Sequence, residues 1–309
     1  MDSLLLIAIA AMSAGTPLLF ATLGGILSER SGVIYLGTEG TMLMGAVTAF
    51  ITFYTSGSWL AALLSAILVG GAFGLLHAVL TVSLKANQTV AGMAITLFGT
   101  GLSAYLGKAY AGMPAPGSVP KLHLSFLEGT PMLGALLGHQ NVLIWLSFAL
   151  TAILQVYIHR TSWGLKLRAV GDSPAAADSM GLQVGAIRYT HVIAGAMLMG
   201  LSGAYLILVF SPNWLEGMTA GRGWIAVALI IFARWNPVRA LLGAYLFGAF
   251  EALGFRIQMM SDWIPSYFLK MMPYLITIIV LMMIGFKNRK KPSGQPESLG
   301  IPYYREQRV

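Results

Sequence analysis

The chain has 309 residues, of which 57% are hydrophobic and only 10% charged, with a formal net charge of +8 and no cysteine; its mean hydropathy is +0.75. That balance excludes an ordinary soluble domain, a disulfide framework, a thiolate nucleophile and a cysteine-based metal site. Nucleic acid is not expected as a partner either, because the basic residues sit in connectors and near the C-terminal end instead of on one folded face.

In chain order, apolar runs predict helices over residues 4–27, 33–54, 59–84, 89–107, 142–158, 190–210, 224–233, 240–255 and 271–286. The expected fold is all-α: a polytopic transmembrane bundle of about nine helices, with eight to ten as the bracket, built as one membrane domain over residues 1–286 and followed by a tail over 287–309. No Lys or Arg precedes the first run, only Asp2, so it is expected to stay as a helix and not to be cleaved as a signal. The run at 224–233 is too short for a bilayer core that needs about 20 apolar residues. It must borrow its flanks or be a broken, partly re-entrant segment shielded by protein. Pro17 and the Gly-rich entry to the second helix predict kinks or interruptions. Small residues four apart at Gly70 and Gly74, at Ala196, Gly200 and Ala204, and at Ala244 and Gly248 predict close helix packing within one bundle.

Assigning the connectors alternately to the two membrane sides divides the 19 Lys and Arg residues unequally. One side collects Arg30, Lys85, Arg160, Lys166, Arg168, Arg188, Arg234, Arg239 and the six basic residues of the tail; the other has Lys108, Lys121, Arg222, Arg256 and Lys270. By the positive-inside rule the C-terminus is cytoplasmic and, with nine crossings, the N-terminus outside. The tail, with Pro292, Gly294 and Pro296, reads as a solvated extension.

The connector over residues 159–189 is unusually long and polar. Asp172, Ser173 and Pro174 offer a helix start, Ala175, Ala176, Ala177 and Asp178 continue it through Met180, and Gly181 supplies the stop. Such a short capped helix is either an ordinary surface helix or a rigid element suited to a groove of another protein. Two glycine-rich entries invite a second reading. Glu39 and Gly40 follow Gly37 near one face, Gly221 and Gly223 flank Arg222 near the other, and each group leads into an apolar segment. Interrupted segments in corresponding positions point to an inverted-topology repeat and a translocation path; the alternative is that glycine permits tight helix entry. Asn87 and Gln88, with Thr89, open a helix as a cap or face that path.

Other polar residues favour structure. Glu251 lies in an apolar run, where a buried charge would need a partner, and its nearness to Arg256 fits an interfacial position equally well. Glu29 beside Arg30, and Arg234 near Asn236, are expected to make ion pairs or caps. His77 and His191 lack a second ligand at metal spacing, so packing or hydrogen bonding is expected and no metal. Trp59, Tyr105, Trp145, Trp163 and Trp263 near helix ends fit an interfacial belt.

The stretch from Ala175 to Gly181, AAADSMG, resembles the cytoplasmic coupling motif of ABC importer permeases, with Ala175 where Glu is common. Four pieces in order, SERSGVIYLGTEGTMLMGA, NQTVAGMAIT, RAVGDSPAAADSMGL and GRGWIAVALIIFARWNP, resemble the branched-chain amino acid, simple-sugar and nucleoside permease family, and within it the smaller nucleoside-uptake permease. The resemblance implies a permease of the bacterial inner membrane working with separate ABC ATPase subunits, a second and different permease, and an extracytoplasmic solute-binding protein. It assigns Gly171, Asp172, Ser173, Pro174, Ala175, Ala176, Ala177, Asp178 and Gly181 to ATPase coupling, and adds Thr96, which stands where Asn is expected, to the path residues. No G-x-x-x-x-G-K-[ST] loop is present, so ATP and Mg are expected in the partner ATPases and no cofactor in this chain. Simple sugars and branched-chain amino acids are the alternative cargoes. An ion-coupled secondary transporter is the alternative of another class, and it would need a mid-membrane ionisable site; a membrane enzyme would need a catalytic constellation that the sparse histidines do not supply.

Overall fold

In a computed structural model of the chain, the residues described are 2–122, 134, 136–260, 271, 275, 278, 279, 282 and 294–305. Ten α-helices and no strand occur among them. In chain order they are α1 (Asp2–Arg30), α2 (Thr38–Ser56), α3 (Trp59–Ala78), α4 (Gln88–Gly107), α5 (Val142–Arg160), α6 (Ser162–Asp172), α7 (Pro174–Ser179), α8 (Val184–Tyr205), α9 (Arg222–Ala233) and α10 (Pro237–Met260). Each of the first eight predicted apolar segments is a helix. The ninth, at 271–286, and the basic run that follows it lie outside the described residues apart from isolated positions.

Six described helices are long and apolar enough to cross a membrane, whereas α9 has only 12 residues. The chain is thus a polytopic helical bundle whose seventh apolar segment is broken, as its length requires. The break at the entry to α2 is also present: residues 31–37 carry no α-helix between α1 and α2. Pro17 behaves differently. α1 runs through it without interruption, and the Pro17 carbonyl accepts a 2.6 Å hydrogen bond from Ser202 Oγ of α8. That bond ties α1 to α8 beside the proline, whose missing N–H leaves the Ser13 carbonyl, and not its own, without a ladder donor. α3 and α8 each finish in a π-helical turn, Val79–Ser83 and Leu206–Phe210.

α8 forms the centre, packed on α1, α2 and α3, while α1 continues the bundle to α9 and α10. Small residues make this approach feasible, since lipid provides no hydrophobic drive between helices and contact must come from dispersion. A Cβ on Gly70 would lie 2.5 Å from the Ala196 carbonyl oxygen, and one on Gly74 would lie 2.6 Å from the Ala196 Cβ. Ala244 and Gly248 of α10 meet Gly15 of α1 in the same manner. The predicted small-residue rows therefore serve contacts within the subunit.

Three expectations change. The connector 159–189 holds a second helix, α6, whose Gly164, Leu167, Val170 and Gly171 are buried on one side; the Thr161 hydroxyl caps it by accepting from Gly164 N at 3.0 Å. α8 begins at Val184, six residues before the apolar run at Thr190, because Ile187 and Arg188 are also buried. The tail is not a solvated extension over residues 294–305: Pro296 and Ser298 are buried, and Leu299 and Tyr303 pack against the core.

Gly200 sits where α2, α3 and α8 converge, and any Cβ there would collide with the Ala66 carbonyl and approach Gly70. Gly200→Val is expected to cost about 1–3 kcal/mol through overpacking, read as a lower melting temperature of the detergent-purified chain. An unchanged melt would show that α3 can back away from α8.

Candidate functional site

Two discontinuities meet at one place. Helix α9 starts at Arg222 after Ala220 and Gly221, both in left-handed conformation with φ of +47° and +82°. Its first N–H groups have no intrahelical acceptor, and Glu39 supplies one. Glu39 Oε1 accepts from Gly221 N at 2.8 Å and from Thr219 Oγ1 at 2.6 Å, while Oε2 accepts from Gly223 N at 2.6 Å. The carboxylate is only 8% exposed. It also matches the positive end of the α9 dipole. A helix of 12 residues rises about 18 Å, well short of a hydrocarbon core about 30 Å thick.

Glycines make the geometry possible. A Cβ on Gly223 would stand 2.6 Å from the Glu39 backbone, so only glycine lets α2 and α9 touch there. Gly40 presses on α4, where a Cβ would lie 2.7 Å from the Ile95 carbonyl oxygen and from Thr96 Cα. The sequence-predicted residues Glu39, Gly40, Thr96, Gly221 and Gly223 are therefore brought together.

Thr96 and Gln88 have a further task. Residues 31–37 carry no α-helix, and side chains satisfy backbone groups that the turn leaves open. Ser28 Oγ donates to the Val33 carbonyl at 2.9 Å, Gln88 Oε1 accepts from Ile34 N at 2.8 Å, His77 Nε2 donates to the Ile34 carbonyl at 2.9 Å, and Thr96 Oγ1 donates to the Leu36 carbonyl at 2.9 Å. His77 is thus hydrogen-bonded within the fold, as is His191, whose Nε2 lies 2.8 Å from the Tyr157 hydroxyl. Asn87 is exposed and caps α4, accepting from Val90 N at 3.1 Å. It stands apart from the clasp around Glu39.

Charge near α9 is balanced by an unexpected pairing. Glu251 of α10 forms its ion pair with Arg222 instead of Arg256. The reason is geometric: Arg222, at the first position of α9, is carried up against α10, its guanidinium 4.9 Å from the Phe210 ring centre.

At the opposite end of α9 the chain turns through Arg234 and Trp235, both at positive φ, +53° and +54°. Trp235 Nε1 donates to Glu29 Oε2 at 2.6 Å, and its carbonyl accepts from Arg30 Nη2 at 3.0 Å. Asn236 then caps α10, accepting from Val238 N at 3.0 Å, so the cap expected around Arg234 is Asn236. The Glu29 and Trp235 pairing was not foreseen, because nothing in the spacing of two residues 206 apart signals it.

The predicted coupling residues lie at this same end. Asp172 terminates α6, Ser173 stands at the start of α7 without a side-chain cap bond, and Pro174 is the first residue of α7. Asp172, Ser173, Ala175 and Ala176 are exposed, Ala177 is buried, and Asp178 accepts from Arg305 Nε at 3.2 Å. Gly181, at φ +81°, ends the turn by donating to the Asp178 carbonyl at 2.9 Å. Gly171 abuts the Arg30 carbonyl so closely that a Cβ would collide with it. α6 is thus seated on the end of α1, and α7 follows it with Ala175 and Ala176 exposed.

A family model described as the permease component of the branched-chain amino acid transport system matches residues 7–281. The chain is 36% identical to a putative glucose ABC transporter permease protein of Haloferax volcanii, covering 96% of this chain and 97% of that one. It is 36% identical to the nucleoside ABC transporter permease protein NupC of Lactococcus lactis subsp. cremoris, over 87% and 88% of the two chains. It is 33% identical to the guanosine ABC transporter permease protein NupQ of Bacillus subtilis, over 94% of each. No solved structure matches.

Removing the Glu39 carboxylate would strand buried donors at about 1–3 kcal/mol each. Glu39→Gln is expected to destabilise nearly as much as Glu39→Ala, because its amide nitrogen would turn a donor toward Thr219 and Gly221 or toward Gly223 N. Thermal unfolding of both purified variants checks this; a wild-type melt for Glu39→Gln would refute the three-donor arrangement.

Proposed function

This chain belongs to the branched-chain amino acid transport system permease family, and on that premise we propose that the solute it passes is a nucleoside, with a simple sugar as the second reading. It is a permease subunit of an ABC importer and an integral protein of the inner (cell) membrane. The nucleoside reading is supported by two relatives named for nucleoside and guanosine transport, and the sugar reading by the Haloferax volcanii relative.

The observation that carries the choice among cargoes is the Glu39 clasp. Half-helix N-termini inside transporters bind the anionic group of a substrate. Here the N-terminus of α9 is already occupied by the chain's own carboxylate, and the neighbouring Arg222 is paired with Glu251. A neutral polar solute fits such surroundings better than an amino-acid carboxylate. We read the clasp residues Glu39, Gly40, Thr96, Gly221 and Gly223 as the frame of the path, with the entries to α2 and α9 as counterparts of an inverted repeat. Asn87 and Gln88 belong to the end of that frame nearest the basic connectors.

The same reading gives orientation and partners. Contacts gather Arg30, Arg188, Arg305 and Lys85 at the end that carries α6 and α7, which supports placing that end in the cytoplasm and the N-terminus outside. ABC ATPase subunits, which would hold ATP and Mg and perform the hydrolysis, would grip α7 through residues 171–181. Ala175 and Ala176 offer a small, bare helix face for a groove. A solute-binding protein would deliver cargo from outside. A second, different permease would complete the path, and the bare face of α4 with Val90, Met93, Leu97 and Phe98 is available to it.

Ala176→Arg, on the exposed face of α7, is expected to leave membrane insertion intact and to abolish both ATPase co-purification and uptake. ATP-driven uptake into proteoliposomes holding the whole importer should proceed for guanosine and not for leucine. Retained co-purification would sink the coupling assignment, and leucine uptake would sink the neutral-solute reading.

A further inference from the structure

Residues 294–305 return to the end of the bundle occupied by α6 and α7 and touch three helices and two connectors there. Ser298 is the centre of the attachment. Its backbone N and its Oγ both donate to the Gly171 carbonyl at the end of α6, at 3.0 and 2.6 Å. The same Oγ accepts from Arg188 Nη2 of α8 at 3.4 Å, and the Ile301 carbonyl accepts from Arg188 Nη1 at 3.5 Å. Further along, Gly300 N donates to the Gly32 carbonyl at 3.2 Å, and Arg305 Nε donates to Asp178 of α7 at 3.2 Å. Lys85, at the turn before α4, lies 4.2 Å over the Tyr304 ring. Leu299 and Tyr303 join the apolar cluster that contains Ala177 and Trp235.

We propose that residues 294–305 form a strap that positions α7 against the start of the non-helical segment 31–37, with Ser298 as its fastening residue, so that displacement of α7 reaches the path. The proposal rests on the coupling role read for α7 above. Gly32, at φ +88°, is the hinge where α1 gives way to the segment that leads to Glu39. The strap binds that hinge and both helices of the coupling segment at once. Direct packing joins α6 to α1 at Gly171 and Arg30, but α7 itself reaches Gly32 through the strap. Arg188 indicates why the strap can be removed without unfolding the bundle. This arginine is 2% exposed and is covered by a hydroxyl and a carbonyl from the strap; without them it regains water, which serves a guanidinium well.

The test uses the whole importer with two altered permeases, one truncated after Ser293 and one carrying Ser298→Ala. ATPase co-purification is expected to stay at the wild-type level in both. Guanosine uptake is expected to fall tenfold or more on truncation and about threefold in Ser298→Ala, while ATP hydrolysis persists. Because the chain has no cysteine, spin labels on Ala176→Cys in α7 and Thr55→Cys at the far end of α2, read in the full-length and truncated permease chains purified without the ATPases that dock on α7, report the distance between the two elements. That distribution is expected to be narrow in the full chain and at least twice as broad after truncation. A narrow distribution after truncation, full uptake in both variants, or loss of ATPase co-purification would each overturn the positioning role, the last by making the strap part of the ATPase dock. Absence of guanosine uptake in the unaltered importer would count against the nucleoside reading alone, since the spin-label distances still decide the strap.

Discussion

Backbone that is not helical can be buried only if protein groups satisfy it, and this molecule is arranged around one such stretch, residues 31–37. Six side chains from four helices serve it: Ser28 from α1, Thr38 and Thr41 from α2, His77 from α3, and Gln88 and Thr96 from α4. Each stranded peptide group would cost several kcal/mol in hydrocarbon. The need for these donors and acceptors explains why polar residues stand at fixed heights on otherwise apolar helices. It also accounts for the glycines at 40 and 99, which let α2 and α4 close to backbone contact around the segment.

The same constraint governs the charges. Glu39 would be expensive in a bilayer as a lone ion. Here it accepts three hydrogen bonds, two of them from the unsatisfied N–H groups of α9, so one buried charge and one broken helix solve each other's problem. Arg222 and Glu251 repeat the logic one step further along, as a pair that loses far more by the removal of one member than by the replacement of both.

Much of this was legible in the sequence because it follows from run length and local chemistry. The apolar runs, the shortness of α9, the Gly-rich breaks, the Asn87 cap and the Gly181 stop all depend on neighbours in the chain. The features that escaped depend on distant partners. Glu251 looked to Arg256, five residues away, and found Arg222, which its helix start carries to α10. Gln88 and Thr96 looked like path residues or a cap, and nothing local could reveal that the backbone of 34–36 needed them. α6 was readable in principle, from Thr161 as cap and from Gly164, Leu167 and Val170 at helical spacing, but its low apolar content concealed it beside the membrane runs. The docking of residues 294–305 had no signal beyond a short apolar patch at Leu299, Ile301 and Tyr303 in a polar tail.

The clasp at Glu39 acquires its mechanical meaning from what holds the other end of α9. A helix of 12 residues is too short to be stable alone in water and owes its form to packing and to its termini. Its beginning is held by Glu39, and the turn at its end is held by Glu29 through the Trp235 indole and by Arg30 through the Trp235 carbonyl. Both grips come from a single stretch of chain, residues 29–39, lying alongside α9. Neither end can move far without stranding buried donors at the other, so α9 and that stretch behave as one rigid body. Gly171 packs on the Arg30 carbonyl at the edge of that body. On the coupling role proposed above for α7, force on α6 would enter this unit at Arg30 and reach the Glu39 clasp as a displacement of the whole unit, where a flexible re-entrant loop would absorb it.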